Sequence, residues 1–137
     1  MAIEFLDRCN MIEECYEFML AYAGQGLPSD GGSAAGSQIR QFLLRAAAAL
    51  TGLSEASTAA ASDERMGSVA SYQSFISVIR QDAQDSLAAI EMVLAQPTIS
   101  SQLIDNLNAS VHLRALLTDL FLLGEIVRAR QASAIAV

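Results

Sequence analysis

His112 is the only histidine in a chain that has no lysine at all and just two cysteines, Cys9 and Cys15. Those residue types, with Asp and Glu, are the usual sources of general bases and nucleophiles at neutral pH. Without lysine there can be no phosphate-loop Lys, no Schiff base and no Lys general base. A di-iron bundle needs Glu-x-x-His from two helices. Three residues before His112 stands Ala109, and three after it stands Ala115, so that motif is absent. A mononuclear metal site from Cys9, Cys15, Glu13 and His112 could only be assembled by the fold, and zinc spacings of the CxxC type are missing. A phosphorelay His needs an exposed face and a nearby base, and Arg114, two residues on, points elsewhere on a helix. His112 therefore reads as a helix-surface or hydrogen-bonded core residue.

Cys9 and Cys15 fall beside apolar positions, where Cys acts as a small hydrophobe. Six residues apart on one helix, they lie about 120° from each other and too far along the axis for a disulfide. No Asn/Asp–His frame sits by either one. The residues thus predict no catalytic group, no metal and no cofactor.

One cluster remains with binding potential. Glu13, Glu14 and Glu17 form an acidic row, next to Tyr16, Phe18 and Tyr22. Such a row is usually just solvated, but it can also steer a basic partner. Tyr16 and Phe18 would then be its aromatic anchors, although the aromatic residues could equally belong to the core.

These side chains need helices to hold them, and the apolar spacing supplies them. Residues 2–23 predict a first helix, with Phe5, Cys9, Ile12, Tyr16, Met19 and Ala23 on one face. Residues 24–37, GQGLPSDGGSAAGS, predict a flexible Gly/Ser-rich loop. It has no GxGxxG frame, no preceding strand and no following Lys, so it does not read as a phosphate loop. Ser37 is the expected cap of a second helix to Leu50, with Arg40 and Arg45 facing the acidic first helix. Residues 54–62 read as loop or weak Ala-rich helix. A long third helix is expected over 63–96, its seam running Val69, Tyr72, Ile76, Ile79, Ala83, Leu87, Ile90 and Leu94, with Gly67 a possible true start. Pro97 ends it. A fourth helix follows over 101–131, capped by Thr98 or Ser100. The two long helices should form an antiparallel hairpin, each roughly 45–50 Å long at about 1.5 Å per residue. Residues 132–137 read as a frayed tail.

Val111–Val127, VHLRALLTDLFLLGEIV, is the longest strongly apolar run. A membrane span needs about 20 mostly apolar residues. This run is shorter and carries Arg114, Asp119 and Glu125, each costing about 2.5–3.5 kcal/mol near a bilayer centre. It reads instead as the middle of a buried helix. Its apolar width exceeds what one layer of neighbours covers, which predicts a homodimer seam on Leu116, Leu120, Leu123 and Val127.

Composition sets the remaining bounds. At 137 residues, 53% of them apolar, the chain suits one domain spanning 1–137 with a core that needs no staples. The net charge of −7 argues against nucleic acid and anionic membranes as partners. The first ten residues begin with acids and lack a basic n-region, which with reduced cysteines predicts a cytoplasmic setting. The expectation is an all-α, antiparallel four-helix bundle with a long C-terminal hairpin. As a homodimer it would be a non-enzymatic interaction module: an adaptor, chaperone or regulator of another protein. The runner-up is a bundle holding a small molecule or cofactor in an apolar pocket, and behind it a metal-dependent enzyme.

Overall fold

A computed structural model describes residues 2–136, with the side chains of 134–136 excepted. The described residues are all-helical, with six α-helices, two short 3-10 turns and no strand. No helix among them is long and apolar enough to cross a membrane.

The first helix, α1 (Ala2–Ala23), is the element the others gather around: α2, α3, α5 and α6 all pack on it. Its buried line is Ala2, Phe5, Cys9, Ile12, Cys15, Met19 and Tyr22. This differs from the expected face at its C-terminal end, where Cys15 and Tyr22 replace Tyr16 and Ala23. A helix enclosed by several neighbours buries a wide arc, and packing decides which edge of that arc is deepest.

The second helix, α2 (Ala34–Leu50), starts earlier than Ser37 because Ser33 caps it, its Oγ accepting from Gly36 N at 2.9 Å. Gly52, at φ 86°, turns the chain into α3 (Leu53–Ala61), where loop or weak helix is expected. Leu53, Ala56, Ala60 and Ala61 are buried, and Ser57 is buried too, its Oγ donating to Leu53 O at 2.8 Å. Small side chains let α3 sit closely between α1 and α4.

The single helix expected over 63–96 is not observed. Two 3-10 turns, Glu64–Met66 and Val69–Ser71, precede α4 (Gln73–Leu94), and Gly67 at φ 84° separates the turns. Val69 and Tyr72 therefore leave the seam, and Tyr72 Oη instead donates to Met66 O at 2.7 Å. The core side of α4 is Ile76, Ile79, Ala83, Ser86, Ile90 and Val93.

The second long helix is also divided. Ser100 caps α5 (Ser101–Ala109), and Ser110, extended at ψ 139°, separates it from α6 (Val111–Ala136). The expected tail continues α6 through Ala136, while Val137 and Met1 lie outside the described residues. The expected hairpin partners thus become α4 and α6, with α5 turned away to pack chiefly on α1. Asp82 meets Asp119 and Asp85 meets His112, so α4 and α6 run antiparallel.

The glycine-rich loop is pinned at several points. Leu27 exchanges two bonds with Ser101, through Ser101 N to Leu27 O and Leu27 N to Ser101 Oγ, both at 2.9 Å. Ser101 Oγ donates to Tyr22 O at 2.6 Å, and Tyr22 Oη donates to Ile99 O at 2.6 Å. Polar backbone that is part-buried needs such partners, and here they come from the segment after Pro97.

Candidate functional site

Two arginines reach across the fold to close helix ends that lack a cation of their own. Neither α2 nor α4 has a basic residue in its last turn. Arg8 of α1 donates Nη1 to Ala48 O, Ala49 O and Thr51 O at 3.2, 3.0 and 2.7 Å. Arg40 of α2 donates to Leu94 O at 3.1 Å and Gln96 O at 2.9 Å. Orphan carbonyls at a helix C-terminus favour a cation, so both contacts are structural. Arg40 does not face the acidic row of α1 as expected; its Nε pairs with Asp30 Oδ2.

The thiols are placed for packing. Burial pushes the Cys9 thiol up to about 12, with Glu13 adding to the effect, and the Cys15 thiol up to about 11. Cys15 Sγ donates to Phe42 O at 3.1 Å. A thiol so hard to ionise is a poor nucleophile or metal ligand. His112 is exposed, with Nδ1 3.8 Å from Asp85 Oδ2. Among the described residues no three His, Cys, Asp or Glu side chains converge as a metal site.

The acidic row is at the surface, with Glu14 and Glu17 exposed and Glu13 half-buried. Its expected anchors are partly committed elsewhere. Phe18 stacks on Phe42 with ring centroids 4.3 Å apart, Tyr16 is half-buried, and Tyr22 is buried. Leu116, Leu120, Leu123 and Val127, expected at a dimer seam, are at most 2% exposed within the single chain. They fill the chain's own core against its neighbouring helices, so a seam on α6 would have to use another face.

That other face was not legible as a site. On α4, Val78, Asp82, Asp85, Ala89 and Met92 follow one another at steps of three and four residues. On α6, Val111, Ala115, Asp119, Leu122 and Ile126 do the same, and the two rows border each other where Asp82 meets Asp119. Met92, Val111 and Leu122 are 64%, 69% and 54% exposed, and Val78 and Ile126 are exposed as well. Asp119 lies among them yet is only 7% exposed, and its Oδ2 has no hydrogen-bond partner. Burial first, and the neighbouring Asp82 carboxyl second, raise its pKa to about 7. One sequence signal could have found this: Asp119 interrupts the apolar run, and Asp82 interrupts the facing helix. Only the register of α4 on α6 brings the two together.

A groove of about 520 Å³ also opens between α1 and α2, lined by Ile3, Asp7, Met11, Arg45 and Ala49 among others. It is a surface depression rather than an enclosed pocket between helices.

No protein-family model matches the chain, and no curated protein or solved structure is significantly similar to it.

Proposed function

We propose that residues 1–137 form a single non-enzymatic interaction domain, an adaptor, chaperone or regulator type of module that acts by binding another protein. The observation that carries this reading is the α4–α6 face. Val78, Met92, Val111, Leu122 and Ile126 stand outside a core that the chain completes without them. Exposed apolar side chains gathered on one face, with polar residues beside them, mark a protein-binding surface. The acidic row of Glu13, Glu14 and Glu17, within a net charge of −7, adds a field that draws in a basic partner. A homodimer, expected from the width of the apolar run, would have to form away from Leu116, Leu120, Leu123 and Val127, which are buried within the single chain. The small-molecule reading ranks second, because the α1–α2 groove is open to solvent.

Photo-crosslinking in the source cells tests the reading. A photoreactive residue at Leu122 should capture a discrete second protein, and one at exposed Thr58 on α3 should not. Equal labelling from both positions, or none from Leu122, would count against it.

A further inference from the structure

We propose that the α4–α6 face receives an amphipathic helix of a partner protein that carries an Arg or Lys inside its apolar stripe, with the cation seated over Asp82 and Asp119. The inference rests on the interaction-domain reading and names the chemistry of the partner.

Three observations converge on it. The first is shape. On antiparallel α4 and α6 the exposed apolar residues recur at three- and four-residue steps, and a third helix can lay its own ridge along such rows. Leu122 lies one turn from Asp119, and Val78 one turn from Asp82, so the acids sit at the centre of the apolar rows.

The second is the missing donor. Asp119 is more than nine-tenths buried, and Oδ2 finds no hydrogen-bond partner. Beside it stands Asp82, another carboxyl, which makes no ion pair among the described residues. Two carboxyls that share a site concentrate negative charge at the half-buried Asp82, where a guanidinium or ammonium can supply charge-assisted hydrogen bonds.

The third is sign. Asp82 and Asp85 make the centre of the face negative, with His112 Nδ1 3.8 Å from Asp85 Oδ2. Three of the chain's arginines, Arg80, Arg65 and Arg130, lie away from that centre. Arg80 lines a depression with Thr51, Gly52 and Glu55 on the α3 side. Arg65 and Arg130 lie together with Ser133 at the far end of α6. Two copies meeting through this face would set like charges against each other at its centre, which disfavours a homodimer there.

The test uses the full chain and three designed helical peptides of about 20 residues, long enough to hold a helix on the face. Each has Leu at three- and four-residue steps. At the centre of the stripe one carries Arg, one Gln and one Glu. Fluorescence anisotropy should show the Arg peptide binding about tenfold more tightly than the Gln peptide, and the Glu peptide weakest. Asp82→Asn should erase the Arg preference while leaving Gln-peptide binding in place. Leu122→Glu should abolish binding of all three, and Val78→Glu repeats that test from α4. Circular dichroism checks that each variant keeps its helix content.

Equal affinity for Arg and Gln peptides would overturn the cation and leave the interaction reading standing. Binding that survives both Leu122→Glu and Val78→Glu would place the site elsewhere and overturn the proposal. Absence of binding by all three peptides would overturn it too. If sedimentation shows the chain self-associating, and Leu122→Glu abolishes that, the occupant is a second copy and the proposal fails.

Discussion

Arg40 Nε donates to Asp30 Oδ2 at 2.7 Å while Asp30 Oδ1 accepts from Ile99 N at 2.7 Å. The same guanidinium closes the C-terminus of α4. One ion pair therefore ties the glycine-rich loop, α2, the end of α4 and the segment leading into α5. Hydrogen bonds to a charged group contribute about 1.5–3 kcal/mol each when part-buried.

Asp30→Ala is expected to destabilise the chain by about 2–3 kcal/mol, read by urea unfolding at pH 7. The Ile99 amide, and after it Arg40, hold the Asp30 carboxyl below its usual range. Its contribution is therefore present above the unfolded carboxylate value of about 3.9 and is lost as pH falls through the lower, folded value. The variant should lose less stability than the wild type as pH falls below the unfolded carboxylate value of about 3.9. Parallel acid curves would remove Asp30 from this role.

Gly36→Ala should be costly despite lying in a helix, where Ala is ordinarily favoured by about 1 kcal/mol. A Cβ on Gly36 would run into the backbone oxygen of Asp30. Overpacking of this kind costs typically about 1–3 kcal/mol. Gly31→Ala is the control, since a Cβ there meets nothing closer than Ser29 Oγ at 3.5 Å. A thermal shift that is the same for both would contradict the close approach of loop and helix.

Asp119 reverses the pH argument made for Asp30. Its raised value means the folded state holds a proton that the unfolded chain gives up near about pH 3.9. Its stabilising contribution is full below that pH and is lost as pH rises through about 7. Asp119→Asn should flatten the decline across this window. At pH about 8 the variant should be the more stable by about 1–3 kcal/mol, because no buried carboxylate is left without a donor. Unfolding free energies measured across the window decide the matter. A variant as pH-dependent as the wild type would show that another group is responsible.

Leu120 and Leu122 separate core from surface on one helix, at 1% and 54% exposure. Leu120→Ala should cost about 2–5 kcal/mol through the cavity it leaves. Leu122→Glu should stay within about 0.5 kcal/mol of the wild type. A large loss from Leu122→Glu, with an altered sedimentation coefficient, would mean that the residue is already covered by another copy.

Reversing Glu13, Glu14 and Glu17 to Arg should leave helix content unchanged and slow association with a basic peptide. Rim charges act on the on-rate, so the slowing should fade as salt rises. A rate insensitive to the triple reversal would leave the row as a solvated surface only.

Much of the architecture was legible locally. The all-helical class, α1 over 2–23, the stop at Pro97 and the inward turn of Cys9 follow from spacing and from what proline can donate, and those are properties of a few adjacent residues. The rest depends on what each helix meets. Ser110 looks like any polar residue on a helix surface, and only the packing of α5 on α1 makes it a cap between two helices. Residues 54–62 look like a weak helix until α1 and α4 close over their small side chains. The loop at 24–33 is flexible by composition, yet Asp30, Leu27 and Tyr22 find partners that lie some 70 residues further along. The Leu116–Val127 stripe was correctly apolar, but spacing carries no information about whether its cover is another chain or the chain itself. The meeting of Asp82 with Asp119 is the clearest case. Periodicity places each acid on its own helix, and only the register between antiparallel α4 and α6 sets one carboxyl against the other.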